Sequence, residues 1–144
     1  GFLWGKTIPL LKKYILLGSG PDTYAYVYPQ SDYVGKYNNG YEGTYVTRPH
    51  NMYLQIWTQT GLLSLICFLV FYGIYMIQSF RIYRPKQKTT YEWYVGYGIF
   101  LGTLGYMLIG FFNDSTITVA PVFWCLLGIG IAINCKIKPT NKTV

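Results

Sequence analysis

Charge is scarce in this chain. Only 12% of its 144 residues are Asp, Glu, Lys or Arg, against roughly 25% in typical soluble domains, while 51% are apolar and 19% aromatic. That balance excludes an ordinary soluble domain. Histidine occurs once, as His50, and the three cysteines Cys67, Cys125 and Cys135 fall in or at the end of apolar runs. An odd cysteine number at such positions offers no disulfide framework or metal cluster, and small apolar helix residues are the plainer reading. A Gly-rich phosphate loop, a zinc signature and a serine elbow are all missing. No metal or cofactor is therefore expected, and any chemistry should be metal-independent.

What the sequence does contain is three long uncharged runs, at residues 61–80, 95–112 and 117–135. A helix needs about 20 residues to cross about 30 Å of hydrocarbon, so each is long enough to span. None has the N-terminal position, basic flank and cleavage site of a signal peptide. The expected fold is an all-α integral membrane protein: three transmembrane helices in a region 51–144, preceded by an extracytoplasmic loop region 1–50. Few spans, no internal repeat and a first residue other than Met suggest the C-terminal part of a larger membrane protein.

The net charge of +7 would suit nucleic acid, but its distribution does not. Arg81, Arg84, Lys86 and Lys88 lie between the first two runs, Lys136, Lys138 and Lys142 follow the third, and residues 113–116 hold no Lys or Arg. Short cytoplasmic loops are rich in Lys and Arg. The first linker and the C-terminus are thus expected in the cytoplasm, with residues 1–60 and the 113–116 turn outside. A lipid bilayer, not nucleic acid, is the implied partner. The sequons at Asn113-Asp114-Ser115 and Asn141-Lys142-Thr143 are short patterns with many chance matches, and the second would be cytoplasmic.

Within the outer region, residues 7–18 (TIPLLKKYILLG) are too short to span and suit an amphipathic helix lying on the membrane. Gly18, Gly20 and Pro21 stop it. Residues 23–47 carry seven tyrosines, at 24, 26, 28, 33, 37, 41 and 45. They read as an ordered loop, with TYAYVY alternating as a short strand would. Asn51 is a good helix cap, so a helix should start at 51 or 52 and run unbroken to about residue 80. Tyr91, Trp93 and Tyr94 suit an interfacial belt. Gly96, Gly98, Gly102, Gly105 and Gly110 suit close helix packing, and Pro121 should start or kink the third span.

His50 would then stand outside, on the order of 16 Å above residue 61 at about 1.5 Å per helical residue, near lipid phosphates. Free imidazole titrates near 6.5 and can take a proton from a hydroxyl. Arg48 is two residues away and can fork onto phosphate oxygens; Lys6, Lys12, Lys13 and Lys36 add positive charge. Asp114 lies on the same side, and tyrosines such as Tyr24 offer a ring face and a hydroxyl that suit a sugar. A base and cations at phosphate height suit transfer from a lipid pyrophosphate to a hydroxyl. The plainer alternatives are a surface or capping His50, an interfacial anchor at Arg48, a turn residue at Asp114 and loop packing by the tyrosines.

The stretch RPHNMYLQIWTQTGLLSLICFLVF resembles the O-antigen ligase and polymerase superfamily. It carries that family's His-Asn-x-x-Leu pattern and a Gly-Leu pair entering a helix, here His50, Asn51, Leu54, Gly61 and Leu62. Upstream, GFLWGKTIPLLKKYILLGSGPDTY is similar to the family's Trp, apolar stretch and Leu-Gly-x-Gly-Pro turn, here Trp4, Leu17, Gly18, Gly20 and Pro21. FFNDSTITVAPVFWCLLGIGIA resembles its closing helices. The resemblance implies a bacterial inner-membrane enzyme that moves glycan from undecaprenyl pyrophosphate to a glycan or lipid acceptor hydroxyl, with His50 as its essential histidine. Substrate contacts are expected from Arg48, Asn51, Tyr24 and Asp114. The family's arginine, in a Gly-Arg segment just before the tryptophan, would fall immediately before Gly1, so residues 1–144 alone are expected to be inactive. The alternative is a non-enzymatic transport or polysaccharide-assembly component. Transporters carry substrate residues near the bilayer middle, and the three runs carry no charge.

Overall fold

The computed structural model describes residues 1–84 and 90–137. Lys86, Lys88, Lys138, Lys142 and the 141–143 sequon lie outside the described residues. Among the described residues the fold is all-helical, with seven helices and no strand: α1 Phe2–Lys13, α2 Tyr24–Val27, α3 Tyr33–Asn38, α4 Met52–Thr60, α5 Leu62–Ile82, α6 Tyr91–Ile109 and α7 Ala120–Ile137. Two compact units divide the chain. One comprises Gly1–Leu69 with Gly110–Ser115, the other Val70–Ile109 with Thr116–Val144.

In the first unit α1 buries Leu3, Thr7 and Leu11, a spacing of four that keeps one helical face inward. Leu3 packs with Tyr24, Tyr28 and Val46, and Phe2, Trp4 and Tyr41 close over them. The expected helix at 7–18 is displaced: α1 begins at Phe2 and ends at Lys13. Residues beyond it form a strap. Ser19 N donates to Thr58 O at 2.8 Å and Gly20 N to Gln59 O at 3.0 Å, while Leu62 N donates to Ile15 O at 2.7 Å. Helix ends leave backbone groups without intrahelical partners, and here the strap supplies them for the end of α4 and the start of α5.

That strap accounts for a second difference. The expected unbroken helix from 51 to 80 is interrupted at Gly61, with φ 90° and ψ 166°, a region open essentially to glycine alone. A Cβ on Gly61 would run into the backbone oxygen of Leu16, and one on Gly18 into the backbone of Gln59. The two glycines let the strap and the α4–α5 junction touch backbone to backbone. The expected height of His50 above residue 61 assumed an unbroken helix and does not carry over. TYAYVY is not a strand either; Tyr24–Val27 is a helical turn, because Tyr24 and Tyr28 pack four residues apart (ring centroids 5.6 Å) over the α1 core.

In the second unit α6 and α7 pack together. Tyr83 donates to Asn134 Oδ1 and Asn134 Nδ2 to Ser79 Oγ, both at 2.7 Å and buried. Gly96 allows close approach, since a Cβ there would meet the Tyr83 hydroxyl; Gly130 does the same for Tyr75. Gly98, Gly102 and Gly105 face open space, so they are not the packing positions expected of them. Trp93 packs edge-on against Tyr83 at 5.7 Å, whereas Tyr91 and Tyr94 are exposed. Pro121 is the second residue of α7 and starts the helix, where its missing N–H costs nothing.

Two helices are long and apolar enough to cross a membrane, Leu62–Ile82 and Ala120–Ile137. Only 22% of each apolar window is buried, unlike the core helix of a soluble protein. Three spans were expected. α6 matches the others in length, but its glycines, tyrosines and Glu92 dilute its apolar character, and it is not one of the two.

Candidate functional site

The site is built on the entry to α4. Pro49 is fully buried. His50 follows with φ 51°, a left-handed conformation costing a non-glycine residue about 1–2 kcal/mol. Asn51 then returns to extended backbone, and its side chain caps α4 by accepting from Leu54 N at 3.0 Å. Backbone outliers of this kind persist where the surroundings over-determine the chain, and here they do. Trp4 Nε1 donates to the His50 carbonyl at 3.4 Å, Met52 N to Gly110 O at 2.8 Å and Asn51 Nδ2 to Phe111 O at 2.9 Å.

Residues 110–115 complete the stitching. Asp114 Oδ1 accepts from Asn51 N at 3.2 Å, and Asp114 Oδ2 lies 3.1 Å from His50 Nδ1. One step further, Ser115 N donates to Gln55 Oε1 at 2.9 Å and Gln55 Nε2 to Ser115 O at 3.4 Å. The Asp114 side chain is 4% exposed and that of His50 57%. A buried carboxylate thus backs an imidazole whose far edge faces outward. With the ring proton on Nδ1 donated to Asp114, Nε2 keeps the lone pair. That nitrogen can accept a proton, and the carboxylate then balances the imidazolium; the same division of labour serves histidine bases elsewhere. Beside it lies a cavity of about 310 Å³, lined by Trp4, Asn39, Tyr41, Pro49, His50 and Phe112 among others.

The other expected site residues separate. Arg48 is half-buried, and among the described residues its guanidinium has no hydrogen bond or ion pair. Asn51 is 6% exposed, and its side chain is engaged in capping α4 and in holding Phe111. Tyr24 is wholly buried, with its hydroxyl 2.6 Å from Thr7 Oγ1. Burial pushes that hydroxyl's pKa up, against the smaller opposing effect of the Thr7 hydrogen bond; it is a core residue with no face for a sugar. Lys6 is held by Asp32 at 2.7 Å, which keeps the Asp32 carboxyl below its ordinary range, helped by the Gly35 N–H. Trp4, Gln55 and Phe112 are the site neighbours that sequence reasoning did not place. Among the described residues no group of His, Cys, Asp and Glu could hold a metal ion.

Among the described residues, helices alone, two of them apolar and long enough to span a membrane, frame a histidine backed by a buried carboxylate at the entry to α4, an arrangement suited to proton transfer. Residues 1–69 match the family model described as O-Antigen ligase. That match, over just under half of the chain, is consistent with a fragment similar to the O-antigen ligase and polymerase superfamily, a family of bacterial membrane proteins. The matched family's name is that of O-antigen-ligase-like glycan transfer in polysaccharide biosynthesis, with lipid-linked glycans as that family's substrate class. The matched segment includes Trp4, Arg48, His50 and Asn51 and ends before Asp114. No curated protein and no solved structure matches the chain.

Proposed function

We propose that residues 1–144 form part of a glycan ligase or polymerase in which His50 is the general base. The acceptor hydroxyl gives its proton to His50 Nε2 while its oxygen bonds to the anomeric carbon of the lipid-linked glycan. The bond from that carbon to undecaprenyl pyrophosphate breaks, and the pyrophosphate leaves with the electron pair. Asp114 holds the imidazole in the tautomer with Nε2 free. Cations meet the charge that builds on the leaving group. Arg48, whose guanidinium has no partner among the described residues, and the exposed Lys12 and Lys13 at the end of α1 suit that role; Lys6 and Lys36 are engaged elsewhere.

The observation that carries this reading is the His50 Nδ1 to Asp114 Oδ2 contact of 3.1 Å, which joins a histidine inside the family-matched segment to a carboxylate well outside it. The proposed setting is the bacterial inner membrane, with residues 1–60 and the 113–116 turn outside and the C-terminus cytoplasmic. Arg81 and Arg84 at the end of α5 and Lys136 at the end of α7, against no Lys or Arg in 113–116, favour that orientation. α6 serves as the remaining span, and the 2.9 Å pair of Lys136 with Glu92 fits its start and the end of α7 sharing one side.

His50→Ala in the full membrane protein should lower glycan transfer by at least about a hundredfold, the lower end for loss of a general base, with membrane insertion unchanged. Wild-type transfer by that variant would remove His50 from the chemistry. Cysteine labelling that put position 50 in the cytoplasm would remove the topology as well.

A further inference from the structure

A second and larger cleft, of about 580 Å³, opens between α3 and residues 42–45, lined by Gln30, Tyr33, Lys36, Tyr37, Thr44 and Tyr45 among others. Its two kinds of lining residue differ sharply. Tyr33, Tyr37 and Tyr45 are 77%, 67% and 60% exposed, so their rings are not core. Lys36 is 6% exposed, and its ammonium donates to Gln30 Oε1 at 3.1 Å and Thr44 O at 2.8 Å. Both partners are neutral. Among the described residues no carboxylate pairs with it: Asp32 is taken by Lys6, and Glu42, exposed on the cleft wall, forms no ion pair. A buried ammonium ordinarily has a counter-charge, since burying it alone is costly, and its third N–H is left for one.

Exposed tyrosines offer apolar ring faces beside hydroxyls, which suit the C–H faces and hydroxyl edges of a sugar. The cleft also shares its chain segment with the histidine cavity. Lys36, Tyr37 and residues 42–45 line the one, Asn39 and Tyr41 the other, so no more than about 7 Å of chain separates lining positions 37 and 39. We propose that this cleft is an accessory glycan site that takes a carboxylate-bearing sugar, its ring on the tyrosines and its carboxylate on Lys36. The biological sense of the site rests on the glycan-transfer reading, but binding is measurable without transfer.

The test is binding of the intact protein in detergent to a panel of synthetic oligosaccharides in matched pairs, neutral hexose against the corresponding uronate. Uronate members should bind at least tenfold more tightly than their neutral counterparts. Tyr37→Ala with Tyr45→Ala should weaken that binding tenfold or more, and Glu42→Gln should tighten it by removing a like charge. Both tyrosines are exposed, so these variants keep the test open even where Lys36→Met fails to fold. His50→Ala should leave the affinity unchanged, which separates this site from the transfer chemistry: loss of transfer with retained binding supports both, and retained transfer with retained binding overturns only the role of His50. Failure of every uronate to bind, equal binding of the neutral partners, or indifference to the tyrosine variants would overturn the cleft.

Discussion

Each of the two compact units of this chain is held together internally by a different means. In the first, short and irregular segments are tied through backbone groups: the strap onto α4 and α5, Asn51 and Met52 onto 110–111, Gln55 onto Ser115. In the second, two long helices meet over rings, with Gly96 and Gly130 admitting tyrosine hydroxyls and a buried triad of Ser79, Tyr83 and Asn134 as a polar tie. Chain that must hold an imidazole in a left-handed backbone needs many directional constraints. Helices that present most of their apolar surface outward satisfy their own backbones and need only fit.

The sharpest way to break the first unit's arrangement is Asp114→Asn. The amide nitrogen would face His50 Nδ1 as a donor, the ring would turn over its proton to Nε2, and the free lone pair would point at residue 114. Losing a hydrogen bond to a charged group is worth about 1.5–3 kcal/mol, so transfer should fall about tenfold to a hundredfold. As a positioning effect the loss should appear in kcat with KM little changed, and Asp114→Glu should restore part of it. An equal fall in insertion or thermal stability would reduce Asp114 to a structural tie.

How much of this was legible in the sequence depends on range. The start of α4 at Met52, the cap at Asn51 and the span-length runs follow from local chemistry, which a linear reading captures. The His50–Asp114 pair does not, because 64 positions separate the two and no periodicity links them; the only hint was that both lay on the same expected side. The break at Gly61 is legible only in part: the resemblance marks a Gly-Leu pair entering a helix there, but a glycine opening an apolar run reads as continuous helix until a second segment, here the strap with Gly18, needs its backbone. Tyr24 is not placed by sequence alone, because tyrosine density marks loops and cores alike, and only Thr7 beneath it decides which.

Gly61→Ala tests the strap directly. The backbone region costs about 1–3 kcal/mol for a residue with a Cβ, and the clash with Leu16 adds to that. Unfolding in detergent should be destabilised by at least that much, with loosened protection of the amides of Ser19, Gly20 and Leu62 in hydrogen exchange. If stability held and those amides stayed protected, α4 and α5 would behave as the single helix that the sequence alone suggests. In the second unit Tyr83→Phe orphans Asn134 Oδ1 in a buried position, at a cost of about 1–3 kcal/mol, read as a lower unfolding midpoint with transfer unaffected apart from the stability loss.

The smallest effects separate two kinds of glycine on the same helix. A Cβ added at Gly98, Gly102 or Gly105 would meet nothing within 4 Å, so alanine there adds no overlap and removes backbone freedom from the unfolded chain. Each should change stability by no more than about 1 kcal/mol, in the stabilising direction. Gly96→Ala instead drives a methyl into the Tyr83 hydroxyl, which Asn134 holds in place, and overpacking of that kind costs about 1–3 kcal/mol. The pattern to look for in detergent unfolding midpoints is one loss beside three small gains. Equal losses at all four positions would mean that the three open glycines are covered in the assembled membrane protein, and that the second unit is packed on a further face.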